Sequence, residues 1–492
     1  MKGLNKLSIL DLCDSYKVSH YLQYPKGTEQ IYSYFEARGG KFTESVFFGL
    51  QYILKTYFEG VQVKIEDIDR AEKMYAHHFG STKVFNRKIW EHIIEKHGGK
   101  LPIRIKAVKE GTVVPIKNVL MVIENLDPEC FWLTNYIETI LQQVWYPTTV
   151  ATLSREVKKI ILSYLEETGT PESINFKLHD FGFRGCTSLE QCYIGSAAHL
   201  INFWGTDSIP AISMIEDYYN EELKNINAYS IPATEHSTIT SHGRENEVEA
   251  YKQYIEANPE GIIACVSDSW DYLYACSDIY GVILKDLIMK RNGTFVIRPD
   301  SGNPIEMVIK SLDILTDPSR FGFTMVKGYK VLPPQVRMIW GDGIDIDGIR
   351  EILQAMKENG YSADNIAFGM GGGLLQKVNR DTQQFAIKCS YAVVNGVPRD
   401  VFKDPATSKS KKSKKGRLSL IDTNEGYQTV SEDTMFEFNV IDAIDELVTV
   451  FENGNLLQDY KFSDVVERAK IVNVDNIVEE EVIFTGMTNP II

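Results

Sequence analysis

Between residues 176 and 373, short apolar runs repeatedly end in a polar or glycine-rich tip and then lead into a longer helical segment. This recurrence limits the fold more than any other feature of the chain. The tips are Leu178-His-Asp180-Phe-Gly182, Gly205-Thr-Asp207, Pro232 to His236, Val266-Ser-Asp268, Ile297-Arg-Pro-Asp300, Ile339-Trp-Gly-Asp342-Gly and Phe368-Gly-Met-Gly371-Gly-Gly373. The intervals from Asp180 through Asp207, His236, Asp268, Asp300 and Asp342 to Gly371 are 27, 29, 32, 32, 42 and 29 residues. One strand, one loop and one crossover helix need about that much chain. The pattern predicts an α/β fold with an irregular (β/α) barrel, in which polar groups gather at the carboxyl ends of parallel strands. A doubly wound open sheet is the competing reading, but it concentrates its polar tips around one crevice.

The flanks read differently. Ile31 to Phe35 predicts a strand, and residues 64–97 have helical apolar spacing. Pro102 to Glu124 alternates as a small antiparallel unit. Phe131–Trp145 and Ser154–Glu167 predict two amphipathic helices. Strand character returns from Phe385 to Val394, and the acidic tail after Asp422 is expected to rejoin the first strand-rich segment. The domains expected are therefore 151–384, a barrel-like catalytic domain, and 1–150 with 385–492, a strand-rich α+β domain.

Charge and cysteine usage narrow the function. The 52 Lys and Arg against 67 Asp and Glu give a net charge of −15, which disfavours a nucleic-acid binder. The seven Cys are odd in number and include no C-x-x-C pair, so neither a disulfide scaffold nor a zinc knuckle is expected. No apolar run approaches the roughly 18 residues of a membrane span. Asp11 and Asp14 break up the N-terminal stretch, so no secretory signal is expected. The expectation is a cytoplasmic protein with no membrane partner.

Four features suggest chemistry. Gly371-Gly372-Gly373 between an apolar strand and a helix start can present backbone N–H groups to a phosphate, or can simply be a tight turn. Lys403, Lys409, Lys411, Lys412, Lys414, Lys415 and Arg417 form a basic loop, with Arg380 and Lys388 near it in sequence. Such a loop suits a polyphosphate or is merely solvated. Asp268, Asp300 and Asp342 can hold Mg²⁺ or sugar hydroxyls, or can cap helices. His236 and His179 each fit acid–base work or packing.

Taken together, the segments Asp14-Ser-Tyr16-Lys17, Tyr34-Phe-Glu36, Phe48 to Gln51, His179 to Gly185, Gly205 to Asp207, Glu235 to Thr240, Ser267-Asp268-Ser, Ile297 to Pro304, Gly341-Asp342-Gly, Phe368 to Lys377 and Phe402 to Pro405 resemble the nicotinamide phosphoribosyltransferases, of the type II phosphoribosyltransferase family. The likeness runs nearly end to end. It implies a homodimer with shared active sites that makes nicotinamide mononucleotide and pyrophosphate from nicotinamide and PRPP in NAD salvage. By the same resemblance, Phe181 and the partner's Tyr16 would stack on the pyridine ring. Asp207 would accept from the carboxamide, and Arg184 and Arg298 would line that pocket. Asp300, Gly341 and Asp342 would hold ribose, and Gly371 and Gly372 the 5′-phosphate. Arg380, Lys388, Lys403 and Lys411 would grip phosphate and pyrophosphate. Asp268 would help place Mg²⁺, and His236 would be phosphorylated by ATP.

Two other readings compete with this one: a nicotinate phosphoribosyltransferase, and a catalytically idle dimeric binding protein. Asp207 argues against the first, because a carboxylate repels nicotinate. Intact Asp207, His236, Arg298, Asp300 and the triple glycine argue against the second. The chain departs from some members of the family at Ala264, Trp340 and Ala386, where small polar residues are replaced.

Overall fold

The computed structural model describes residues 7–404, 413–437 and 444–471. The chain divides into two compact units. One holds the described residues up to Thr152, Ile215–Glu222 and those of Asn379–Ala469; the other holds Leu153–Met214 and Leu223–Val378. Ile215–Glu222 joins the first unit through specific bonds. Tyr219 Oη donates to the buried Glu110 carboxylate at 2.7 Å, and Gln51 Nε2 donates to the Tyr218 carbonyl at 2.7 Å.

The second unit is built on six parallel strands. In spatial order they are Gly205–Thr206, Leu178–Asp180, Ile366–Met370, Val336–Trp340, Phe295–Arg298 and Ile263–Val266. The segment Tyr229–Ala233 bridges the two outer strands, so the sheet curls round on itself. Thr206 N–H donates to the Tyr229 carbonyl at 2.9 Å on one side, and Ala264 N–H donates to the Pro232 carbonyl at 2.9 Å on the other. Seven chain segments therefore line the ring, matching the seven tips of the sequence. The segment containing Pro232 makes only isolated bridges, because proline has no N–H to extend a ladder. Inside the ring, Phe176, Ala264, Val296, Ile339 and Ala367 pack into one buried cluster, with Phe181 and Trp204 against it. The interior is thus filled by side chains, as in a barrel core.

The first unit carries a seven-stranded antiparallel sheet. Its order is Val397–Asp400, Phe385–Val394, Thr28–Ala37, Val119–Asn125, Ile103–Ala107, Val448–Glu452 and Asn455–Leu456. N-terminal and C-terminal strands interleave, so neither end of the chain could form this sheet alone. Val113–Pro115 leaves the local unit and pairs with Glu44–Val46.

The helices differ from the sequence pattern around residues 131–154. Phe131–Trp145 is not one helix but two short turns, Leu133–Tyr136 and Glu138–Gln142, and the following helix runs from Trp145 to Thr168. Pro147 explains the second break, between Gln142 and Trp145. Its ring would clash with the carbonyl of Gln143 in a continuous helix, whereas in a first turn its missing N–H costs nothing. Among the described residues no helix is long and apolar enough to cross a membrane.

Candidate active site

A cavity of about 930 Å³ opens at the carboxyl ends of the parallel strands. Phe181, Arg184, Asp207, Arg298, Asp300, Gly341, Asp342, Gly371 and Gly372 all line it. These residues come from five separate strand tips, and the barrel brings them together.

Phe181 is set by glycine on one side and by Asp180 on the other. A Cβ at Gly369 would lie 1.9 Å from the Phe181 ring, and one at Gly341 would lie 3.2 Å away. The ring therefore rests on bare backbone. Asp180 is fully buried, accepts from Gly182 N–H at 2.8 Å and from Thr206 Oγ1 at 3.1 Å, and so fixes the turn that carries Phe181. Phe181 N–H donates to the Met370 carbonyl at 3.0 Å.

Asp207 follows the short strand Gly205–Thr206, and its N–H donates to the Asp180 carbonyl at 3.0 Å. Its carboxylate accepts from Ser230 Oγ at 2.6 Å, which holds it at the cavity wall rather than on a helix end. Behind it the fully buried His199 donates from Nε2 to the Gly205 carbonyl at 3.1 Å. Because a carbonyl can only accept, Nε2 carries the proton and Nδ1 accepts from Ser154 Oγ at 2.9 Å. Burial pushes the His199 pKa down to about 4. His179, which also lines the cavity, is buried with its pKa lowered by burial, and its Nε2 donates to the Phe176 carbonyl at 3.1 Å.

Arg298 donates from Nη2 to the Thr234 carbonyl at 3.2 Å, while its Nε is buried with no hydrogen-bond partner among the described residues. A buried donor left unpaired is costly, so a ligand acceptor beside Arg298 would relieve it. Trp340 is fully buried and does not line the cavity. Its indole Nε1 donates to the Asp342 carbonyl at 2.8 Å, so it holds the Gly341-Asp342 turn from behind.

The glycine turn is a shorter device than its sequence suggests. Its helix is the single turn Gly372–Leu375, so its dipole is small and the N–H groups of Gly372 and Gly373 carry the potential. A Cβ at Gly373 would lie 2.5 Å from the Ile344 carbonyl. At Gly372 it would meet only Gln376 Oε1, at 3.5 Å. Protein packing thus demands glycine at 373 but not at 372, where the exposed backbone faces the cavity.

His236 and Asp268 form a pair outside that lining. His236 Nε2 donates to Asp268 Oδ1 at 2.9 Å, and Ser301 Oγ donates to Asp268 Oδ2 at 2.5 Å. The His236 side chain is 46% exposed and that of Asp268 8%. With Nε2–H committed to the carboxylate, Nδ1 keeps its lone pair.

Tyr16, Arg380, Lys388 and Lys403 belong to the first unit, and Lys411 lies outside the described residues. Tyr16 is 60% exposed. Burial and the neighbouring Arg38 and Lys403 charges push the Lys388 pKa down, against the pull of Glu138 and Glu36. Asp180, Ser230, Thr206 and Gln376 were not singled out by the sequence as site residues. Ser230 sits in the bridging segment, whose irregular pattern carries no strand signal. Gln376 Nε2 donates to the Gly182 carbonyl at 3.1 Å and ties the glycine turn to the Phe181 turn.

An aromatic shelf, a wall carboxylate, two aspartates and a glycine cradle at one barrel mouth define an enzyme that handles a phosphorylated sugar and a flat base. The family comparisons agree. Residues 176–455 match the nicotinate phosphoribosyltransferase (NAPRTase) family, and residues 8–105 match the nicotinamide phosphoribosyltransferase N-terminal domain. The chain belongs to the nicotinate phosphoribosyltransferase family and is a pentosyltransferase. It is 48% identical over 459 residues to a nicotinamide phosphoribosyltransferase of Xanthomonas campestris pv. campestris (strain 8004), covering 92% of this chain and 96% of that protein. It is 33% identical to one of Acinetobacter baylyi (strain ATCC 33305 / BD413 / ADP1), covering 94% and 97%. The crystal structure of nicotinate-nucleotide pyrophosphorylase from Pyrococcus furiosus shares the fold, with a TM-score of 0.59, 16% identity, and coverage of 99% of this chain and 100% of that one.

Proposed function

We propose that this chain joins nicotinamide to the phosphoribosyl group of PRPP in NAD salvage, releasing nicotinamide mononucleotide and pyrophosphate, and couples ATP hydrolysis to that step through His236. The observation that carries the reading is the single cavity holding Phe181 and Asp207 at one side and Asp300, Asp342 and Gly372 at the other. Phe181 gives a flat apolar face for the pyridine ring. Asp207 accepts from the carboxamide N–H, which nicotinate lacks. Arg298 and Arg184 border the same pocket. Asp300 and Asp342 hold the ribose hydroxyls, with Gly341 giving the ring room. Gly371 and Gly372 cradle the 5′-phosphate.

The reaction is a displacement at the anomeric carbon. The pyridine nitrogen forms a bond to that carbon as the bond to the pyrophosphate oxygen breaks, and positive charge develops on the sugar. Alignment of base and sugar supplies much of the rate. The carboxylates of Asp268, Asp300 and Asp342 are hard oxygen donors suited to Mg²⁺, and Asp268 would hold it through water. Mg²⁺ there would neutralise charge on the leaving pyrophosphate. His236 Nδ1, free while Nε2–H serves Asp268, takes the γ-phosphoryl group of ATP as ADP leaves, and water later releases it as phosphate.

The first unit supplies the remaining groups across a homodimer interface. Tyr16, exposed on its own chain, closes over the base in the partner's site. Lys388, whose positive neighbours leave it short of compensation, binds phosphate with Arg380, Lys403 and Lys411. All seven cysteines are free and four are buried, which suits the reducing cytoplasm.

A crystal soaked with nicotinamide, PRPP and Mg²⁺ tests the placement. The base should lie on Phe181 with its amide at Asp207, and the phosphate at Gly372. Density for the base anywhere else would refute the assignment.

A further inference from the structure

We propose that His92, His97, Asp127 and Cys130, in the first unit, form a binding site for Zn²⁺. One ligand atom from each of the four lies within 4.8 Å of all the others. His92 Nε2 and His97 Nε2 are 2.8 and 2.6 Å from the same oxygen, Asp127 Oδ2. The Cys130 residue is fully buried beside them, and no hydrogen bond to its thiol occurs among the described contacts. Cys130 thus places a buried soft donor beside two imidazoles and a carboxylate.

The local structure explains how Asp127 and Cys130 meet, though not the two histidines. His92 and His97 lie on the helix Arg87–His97, five residues apart. That spacing puts them roughly 140° apart around the helix axis, so no shared face brings them together. Asp127 and Cys130 are brought close by a different device. Asp127 caps the single 3₁₀ turn Pro128–Cys130, and residues three apart eclipse one another in such a turn. Asp127 Oδ1 is taken by Glu129 N–H at 2.9 Å, and the Asp127 carbonyl accepts from Cys130 N–H and from Asn125 Nδ2, each at 2.9 Å. The carboxylate is thereby oriented with Oδ2 towards the histidines.

The donor set selects the ion. Two imidazoles, a carboxylate and a thiol are borderline-soft and fourfold, which suits tetrahedral Zn²⁺ and not the all-oxygen shells of Mg²⁺ or Ca²⁺. Their side chains are 16–26% exposed apart from Cys130, so an ion can enter. Binding forms a Zn–S bond and releases the thiol proton to solvent, so affinity rises with pH. The ion would tie the helix Arg87–His97 to the turn that follows the strand Val119–Asn125. No residue of the cavity takes part. Cysteine spacing could not reveal the site, because it uses a single thiol.

Full-length protein, stripped with chelator and then titrated with Zn²⁺ against a chromophoric competitor, should bind one tight equivalent per chain through this cluster. With Co²⁺ as the probe, the same protein should show a near-ultraviolet thiolate-to-cobalt band. Cys130→Ser should remove the band, and His97→Ala should weaken Zn²⁺ binding by at least tenfold. A His92→Gln variant provides a second test should His97→Ala fail to fold. Absence of the cobalt band in the wild-type chain, or equal Zn²⁺ affinity in wild type and the histidine variants, would overturn the proposal.

Discussion

The Phe181 ring lies directly on the backbone of Gly369, close enough that a single methyl group there would sit 1.9 Å from the ring. The shelf proposed for the base is therefore set by the lack of a side chain on a neighbouring strand. Gly369→Ala should force the ring into the cavity and raise KM for nicotinamide roughly tenfold or more, the scale of about 1.4 kcal/mol of lost stacking geometry. Steady-state kinetics with nicotinamide varied at saturating PRPP checks this. The KM for PRPP should move much less.

Gly372, unlike Gly373, is not held to glycine by packing. Gly372→Ala meets no backbone within 4 Å, and Ala in a helical first turn is favoured over Gly by up to about 1 kcal/mol. The variant should melt at the same temperature or higher while KM for PRPP rises. Unchanged KM would mean that no phosphate approaches that backbone.

Asp207 is the residue proposed to set the choice of base. Asp207→Asn keeps the size and removes the negative charge, so the ratio of kcat/KM for nicotinamide to that for nicotinate should fall by about tenfold, the worth of a charge-assisted hydrogen bond. Competing both bases in one reaction reads the ratio directly.

His236→Ala should abolish ATP-stimulated turnover while leaving a basal, ATP-independent rate. Asp268→Asn should weaken the coupling without deleting the phosphate acceptor, because Nε2 loses an ionised partner. Phosphoenzyme formed from γ-labelled ATP should appear in the wild-type chain and be absent from His236→Ala.

Two buried histidines give the stability a pH dependence. His199 and His179 are held neutral by burial, with folded pKa values below the ordinary 6.5. The unfolded chain then binds more protons in that window, so stability is complete above about pH 6.5 and declines as pH falls towards about 4. Denaturant midpoints across that range should fall, and His199→Gln should flatten part of the slope.

Much of this was legible in the sequence, for physical reasons. The seven tips marked strand ends because each couples an apolar run to a polar turn, and Asp207, Asp300, Asp342 and Gly371 all proved to line one cavity. The bridging segment Tyr229–Ala233 could be recognised only by its tip, since Pro232 breaks the strand pattern. Asp180 and Ser230 act through other residues, and such contacts depend on which loops meet in space. The division of Phe131–Trp145 into two short turns, and the start of the long helix at Trp145 rather than Ser154, were missed because apolar spacing continues through the breaks. The interleaving of Phe385–Val394 with Thr28–Ala37 is a long-range pairing that local pattern suggests but cannot register.

The proposed cavity takes a neutral amide base and a phosphoribosyl donor together. Purified protein incubated with equal nicotinamide and nicotinate, PRPP, Mg²⁺ and ATP, with both mononucleotides and pyrophosphate quantified, measures this most directly. The predicted result is nicotinamide mononucleotide as the dominant nucleotide, with one pyrophosphate released for each. Dominance of nicotinate mononucleotide, or pyrophosphate released without either nucleotide, would contradict it.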